Sequence, residues 1–106
     1  MLKVESTWEF DRWLRDLKDR RSRARILMRL ERLSLGNLGD VKPIGSGLLE
    51  MRINTGPGYR VYFLKHGESL VLLLCGGDKS TQQKDIRLAH QLAADWRAIQ
   101  RRGGSQ

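Results

Sequence analysis

Three short segments in the middle of the chain show the hydrophobic pattern of β-strands. The first, Leu48 to Asn54, alternates apolar and polar residues over most of its length. The second, Tyr59 to His66, is rich in β-branched and aromatic residues, and the third, Leu70 to Cys75, is apolar on both faces. Turn residues separate them, Thr55 to Gly58 and Gly67-Glu68. The pattern predicts three consecutive antiparallel strands.

Helical periodicity precedes these strands. Leu2 to Glu5 is short and mixed, and we expect it to add a strand to the sheet edge. Ser6 and Glu9 have the spacing of a capping box, which predicts the start of a first helix. Its apolar stripe consists of Phe10, Trp13, Leu14 and Leu17. Charged residues then break the pattern, and a second helix is predicted from about Arg23 to Leu35.

The two remaining segments are a loop and a third helix. Residues 37–47 contain several glycines and are predicted to form a loop. Ser80 and Gln83 form a second capping-box pattern, and a helix is predicted from there to about Arg101. Residues 102–106 are predicted to be a disordered tail.

The predicted order is therefore β-α-α-β-β-β-α, which indicates an α+β fold. We expect an antiparallel sheet with a helical hairpin packed on one face and the other face partly open to a partner. A chain of 106 residues has room for one hydrophobic core, so residues 1–101 are predicted to form a single domain.

Charge is the main compositional feature. The chain has 20 Lys and Arg residues against 12 Asp and Glu residues, a net charge of +8. Such a surface favours RNA, the ribosome, DNA or an acidic protein as partner, although charge can also serve solubility alone. The single Cys75 excludes a disulfide framework, and no apolar run is long enough to span a bilayer. We therefore expect a cytoplasmic protein with no membrane partner.

Several reactions lack the residues that they need. Two histidines on different elements and one cysteine make no zinc ligand set, so neither a metal nor another cofactor is expected. The spacing of a phosphate-binding Walker loop and that of a serine hydrolase motif are absent. The remaining candidate is a reaction at a phosphate group that is assisted by positively charged side chains. RNA can be cleaved without metal when a base deprotonates the 2′-hydroxyl and positive groups stabilise the charge that gathers on the phosphate.

Two pieces of the sequence carry a family resemblance, Gly-Tyr-Arg-Val-Tyr-Phe at 58–63 and Gly-Gly-Asp-Lys-Ser at 76–80. Together they resemble the RelE/ParE superfamily of toxins from type II toxin–antitoxin systems, in particular its HigB-like addiction module killer proteins. The similarity runs from roughly Glu5 to Trp96. It implies a RelE-like fold and a ribosome-dependent endoribonuclease, an mRNA interferase that inhibits translation. It also implies an antitoxin partner, expected to be a helix-turn-helix protein, whose complex with the toxin would bind operator DNA.

The resemblance also implies catalytic residues. Arg60 matches the arginine that holds the scissile phosphate, Arg52 lies near a catalytic basic position, and Lys79 follows the last strand where the branch has a further cation. Arginine suits phosphate because its planar fork donates two parallel hydrogen bonds. This chain has no tyrosine after Tyr62, unlike RelE, so the general acid is unassigned, with Lys79 or Lys84 as candidates.

Further basic residues are candidates for RNA binding: Lys42, Lys84, Arg23 and Arg29. Lys42 lies in the predicted loop, where some relatives place an acid–base residue. Arg23 and Arg29 belong to an arginine-rich helix whose cations could follow a phosphate backbone, or could simply be its solvated face. Arg60 could also form an exposed cross-strand pair with Glu50, which would contribute about 0.2–1 kcal/mol.

Two other functions stay open at this point. One is a ParE-like inhibitor of DNA gyrase that has the same fold and no catalytic activity. The other is a non-toxic module that only binds an antitoxin. Convergence of the cations on one concave face would favour cleavage over gyrase inhibition, whereas overexpression without a growth defect would favour the non-toxic module.

Overall fold

The computed structural model describes residues 1–104, which form one five-stranded sheet and three helices. In chain order the elements are β1 (Lys3–Ser6), α1 (Trp8–Asp16), α2 (Arg20–Ser34), β2 (Val41–Gly45), β3 (Leu48–Ile53), β4 (Tyr59–His66), β5 (Leu70–Asp78), a 3-10 turn (Lys79–Thr81) and α3 (Gln82–Gly104). This confirms the α+β class and the predicted element order, with one additional strand.

The sheet has the strand order β1-β5-β4-β3-β2. Strands β2 to β5 are antiparallel neighbours, and the turn between β3 and β4 contains Gly56 and Gly58 at positive φ. After β1 the α1–α2 hairpin carries the chain across the sheet, so β1 lies parallel to β5. The predicted meander and the edge strand are therefore both present.

The two faces of the sheet are packed by different helices. On one face Phe10 of α1 and Ile26 and Leu33 of α2 pack against apolar side chains of β3, β4 and β5. On the other face Ala89 and Ala93 of α3 pack against leucines of the same strands. The helical hairpin on one face is confirmed. The other face is less open than expected, because the apolar stripe of α3 packs on it and leaves Lys42 and Arg52 accessible; we call this side the α3 face.

The sequence did not indicate strand β2. Residues 37–47 were expected to be a loop, but Val41 to Gly45 pair with β3. Val41 and Ile44 are half-buried, and Pro43 is tolerated because β2 is an edge strand. Because glycines lie on either side of this segment, its short strand pattern was not recognised in the sequence.

Helix boundaries also differ from the prediction. Helix α2 begins at Arg20 because Asp19 caps it, accepting a hydrogen bond from Ser22 N at 3.1 Å. Thr7, not Ser6, caps α1, since its Oγ1 accepts from Phe10 N at 3.0 Å. Asp78, not Ser80, caps the 3-10 turn before α3.

The C-terminal helix is longer than expected. Helix α3 continues to Gly104, beyond the predicted end at about Arg101 and into the predicted tail, while residues 105 and 106 lie outside the described part of the chain. Basic residues in the last turn favour this extension, because they complement the negative end of the helix dipole. None of the helices within residues 1–104 is both long and apolar enough to cross a membrane.

A glycine in β5 tests the packing of the hairpin on the sheet. A Cβ atom on Gly76 would overlap the ring of Trp13, so Gly76→Ala should destabilise the protein by about 1–3 kcal/mol in urea denaturation. Gly103→Ala is the matched control, since nothing lies near its Cβ position and alanine favours a helix. Equal stability of the two variants would contradict the packing of α1 on β5.

Candidate functional site

Two neighbouring rows of residues cross the α3 face of the sheet. Residues that stand opposite each other in antiparallel strands point to the same side. The first, which we call the polar row, consists of Lys42, Glu50, Tyr62 and Cys75. The second, which we call the arginine row, consists of Arg52, Arg60 and Gly77. Two of the three residues predicted to be catalytic thus stand directly opposite each other in β3 and β4.

The carboxylate of Glu50 joins the two arginines. Arg52 Nε donates to Glu50 Oε1 at 3.3 Å, and Arg60 Nε lies 3.9 Å from the same oxygen. The other oxygen, Oε2, accepts from Gln82 Nε2 at 2.7 Å. Both carboxylate oxygens are therefore engaged, one by the arginine row and one by the first turn of α3.

This cluster is buried rather than exposed. Glu50 is 1% exposed and Arg60 is 6% exposed, whereas the side chain of Arg52 is 36% exposed. The Glu50–Arg60 pair considered from the sequence is therefore present, but its expected exposure was wrong, because α3 covers it. Removing one partner of a buried pair leaves an uncompensated charge, which costs about 3–5 kcal/mol. Arg60 is consequently a structural residue, whatever else it does.

Lys79 lies at the same end of the sheet as Arg52 and Arg60. It begins the 3-10 turn directly after β5 and is exposed. A Cβ atom on Gly58, two residues before Arg60, would lie 3.1–3.3 Å from the side-chain carbons of Lys79. The three residues predicted to be catalytic are thus gathered at one end of the sheet, with Arg52 and Lys79 accessible to solvent.

The predicted RNA-binding residues are more dispersed. Lys42 is exposed and stands opposite Glu50, on the polar row, and Lys84 is exposed in the first turn of α3. Arg23 is exposed on α2, which packs on the opposite face of the sheet. Arg29 of α2 reaches the edge of the sheet, where its Nη1 donates to Arg52 O at 2.6 Å. The structure therefore brings Lys42 and Lys84 to the α3 face and separates Arg23 from them.

Two further titratable groups flank the arginine row. Tyr62 is fully buried, and within residues 1–104 its hydroxyl has no hydrogen-bond partner. Burial raises the pKa of Tyr62, and the negative charge of Glu50 raises it further. Asp85 lies over Gly77, where a Cβ atom would overlap its Oδ2, and accepts from Thr81 Oγ1 at 2.5 Å. A glycine at the end of the arginine row therefore makes room for a carboxylate.

The family model described as phage-derived protein Gp49-like (DUF891) matches residues 12–94. This chain belongs to the Gp49-like family. The match includes all three helices in whole or in part, the strands β2 to β5, and every residue of the arginine row.

A relative in Haemophilus influenzae supports the assignment. The uncharacterized protein from that organism is 49% identical over 94 residues, which cover 89% of this chain and 95% of the relative. Gp49-like proteins are a RelE/HigB-like toxin family, so membership associates this chain with toxin–antitoxin systems and implies an antitoxin partner. The superfamily resemblance is thereby confirmed at the level of the Gp49-like family.

Sequence reasoning missed the organising role of Glu50. A single carboxylate within the apolar run Leu48-Leu49-Glu50-Met51 was the available signal, since a buried charge requires a partner. Gln82 and Asp85 gave no signal, because their positions depend on which face α3 covers. In the described part of the chain, no three His, Cys, Asp or Glu side chains come together as a metal-binding group.

The pH dependence of stability should reveal the buried carboxylate of Asp85. Burial raises the pKa of Asp85 above its ordinary value of 3.8, and the hydrogen bond from Thr81 only partly opposes this. The folded state therefore takes up this proton before the unfolded state does, and ionisation of Asp85 at neutral pH disfavours folding. Asp85→Asn, which keeps an acceptor for Thr81, should be more stable than the wild type at pH 7.

Urea denaturation of both proteins across the acidic range would test this. The advantage of Asp85→Asn should shrink as the pH falls from neutral towards 3.8, because the wild type becomes neutral at that site too. Asp19 and Asp78, whose pKa values are lowered by hydrogen bonds, destabilise both proteins alike in acid. A stability difference that does not vary with pH would contradict a charge effect at Asp85.

Proposed function

We propose that this protein is the toxin of a type II toxin–antitoxin system, of the HigB-like branch, and that it cleaves messenger RNA on the ribosome. One observation carries the proposal. Arg52 and Arg60 stand opposite each other in β3 and β4 and are joined by the buried Glu50, and Lys79 follows β5 at the same end of the sheet, next to Gly58. A binding module without catalysis would not require this convergence of cations.

The reaction assigns a role to each cation. The 2′-oxygen gives its proton to a base and bonds to phosphorus, the bond to the 5′-oxygen breaks, and a cyclic phosphate remains. Arg52, the more exposed arginine, contacts the phosphoryl oxygens and stabilises the charge that they gain. Arg60 lies behind it and adds positive potential from a buried position. Lys79, which is exposed, donates a proton to the leaving 5′-oxygen.

Glu50 is what makes this arrangement possible. Two like charges on facing residues of a hairpin repel each other, and a shared carboxylate offsets that repulsion. The carboxylate also restricts the Arg52 guanidinium through its Nε, while leaving the other nitrogens for a phosphate. The messenger itself would be positioned by the ribosome.

The partners follow from the same proposal. The antitoxin implied by the family would be a helix-turn-helix protein, and its complex with the toxin would bind operator DNA. Both proteins would act in the cytoplasm. The net charge of +8 suits an acidic partner and a ribosomal target alike.

Arg52 offers the sharpest test of catalysis. Arg52→Ala should lower messenger cleavage in a translating extract by about 100-fold or more, because a charge that stabilises the transition state is lost. Primer extension would measure the cleavage. The matched control is Arg15→Ala on α1, on the opposite side of the sheet, where the exposed pair with Asp16 contributes little.

Thermal unfolding must be measured in parallel, since Arg52 also contacts Glu50. If the Arg52→Ala variant folds like the wild type and cleaves messenger RNA at the same rate, the proposal is contradicted. So would wild-type growth arrest with intact transcripts. If that arrest came with gyrase-linked DNA breaks, the ParE-like alternative would replace the proposal, and an absence of any growth defect would leave the antitoxin-binding module.

A further inference from the structure

A cleft of about 480 Å³ lies between α2 and the end of β3, at the edge of the sheet. Four arginines line it: Arg25, Arg29, Arg32 and Arg52. Met28 contributes an apolar surface, and Asp40 is the acidic residue of the lining. The cleft is therefore strongly basic with an apolar patch inside it.

The helical repeat explains how α2 builds one wall. Arg25, Met28, Arg29 and Arg32 follow the i, i+3, i+4, i+7 spacing that places side chains on one side of a helix. Arg25 and Arg32 are separated by two turns, which is about 10 Å along the axis. Met28 lies between them and is 51% exposed.

The four cations differ in what they already contact. Arg29 donates to the carbonyl oxygens of Arg52, Leu38 and Asp40, at 2.6, 3.4 and 3.3 Å. Arg52 donates to Glu50. In the described part of the chain, the side chains of Arg25 and Arg32 make no hydrogen bond or ion pair. Two guanidinium groups at either end of the cleft are thus free to bind an anion.

The charge within the cleft is not balanced by the chain itself. Burial lowers the pKa of Arg29, and the like charge of Arg32 lowers it further, while Asp40 acts in the opposite direction. The lining contains one acidic residue, Asp40, and four arginines. An anionic ligand would therefore relieve repulsion inside the cleft.

We propose that this cleft binds an acidic amphipathic segment of a protein partner, with carboxylates on Arg25 and Arg32 and an apolar side chain on Met28. Carboxylates two helical turns apart, or about three residues apart in an extended segment, match the spacing of the two arginines. Arginine binds a carboxylate through two parallel hydrogen bonds, and methionine adapts to apolar side chains of various shapes.

The exposed apolar residues favour protein over nucleic acid. Met28 is 51% exposed within the lining, and Leu27, which precedes it in the sequence, is 47% exposed outside the lining. A phosphate backbone gains nothing from them, whereas the apolar side chains of an amphipathic segment do.

Arg52 connects the cleft to the proposed catalytic site. It lines the cleft and also contacts Glu50 at the arginine row. A segment bound in the cleft would therefore cover Arg52 without reaching Arg60. The inference depends on the partner that family membership implies and does not depend on ribonuclease activity, so either can fail alone.

Synthetic probes can test the cleft on the intact protein. The peptide probe is a labelled helix of about 14 residues with leucines on one face and glutamates seven residues apart beside them. A version with serine in place of leucine keeps the charge and removes the apolar face. Labelled oligouridylate of equal net charge represents the phosphate backbone. Fluorescence anisotropy gives the affinities, and amide chemical shifts locate the bound peptide.

The proposal predicts a specific order of effects. Arg25→Glu and Arg32→Glu should each weaken peptide binding about tenfold, and the control Arg15→Glu, with the same charge change on α1, about twofold at most. Met28→Ser should weaken the leucine peptide about threefold or more and leave oligouridylate binding unchanged. Shifted amides should cluster around α2 and the end of β3.

Other outcomes would overturn the proposal. Equal weakening by Arg15→Glu and Arg25→Glu would show that net charge alone attracts the peptide. Tighter binding of oligouridylate than of the peptide, with sensitivity to Arg25→Glu, would make the cleft a nucleic-acid surface. Equal affinity of the leucine and serine peptides would contradict the apolar contact with Met28 on which the proposal depends, and no peptide binding would overturn the proposal as a whole.

Discussion

A single buried carboxylate, that of Glu50, connects the charged and polar side chains at the end of the sheet where the candidate site lies. Glu50 lies in β3 between leucine and methionine, is 1% exposed, and has the two arginines of the arginine row on one oxygen and Gln82 on the other. Without it, Arg60 would be a buried charge with no counterion. The positions of both arginines and of the first turn of α3 therefore depend on this side chain.

Because Arg60 depends on Glu50 for its charge balance, the two arginines differ in how well their substitution can report on catalysis. Arg60 is too buried to be substituted without cost to stability, so loss of activity in an Arg60 variant would not distinguish a chemical role from a structural one. Arg52 is half-exposed and lies at the rim, which makes it the residue that reports on chemistry. Gly77 completes the row by having no side chain, which leaves space for the carboxylate of Asp85.

The sequence predicted the parts of this molecule that follow from local periodicity. The meander, the helical hairpin on one face and the existence of α3 could be derived from alternation and helical stripes. Strand β2 could not, because an edge strand of five residues containing Pro43 has no distinct pattern. The resemblance directed attention to Arg52, Arg60 and Lys79. The buried connection through Glu50 could not be derived, because it depends on α3 covering that face.

A double-mutant cycle between Glu50 and Arg60 tests the central claim most directly. Urea denaturation would give the free energies of unfolding of Glu50→Ala, Arg60→Ala and the double variant. Each single change should cost about 3 kcal/mol or more, and the double variant should cost clearly less than their sum, because the second change removes a charge already left unpaired. Small, additive losses of about 0.5 kcal/mol or less would contradict the account.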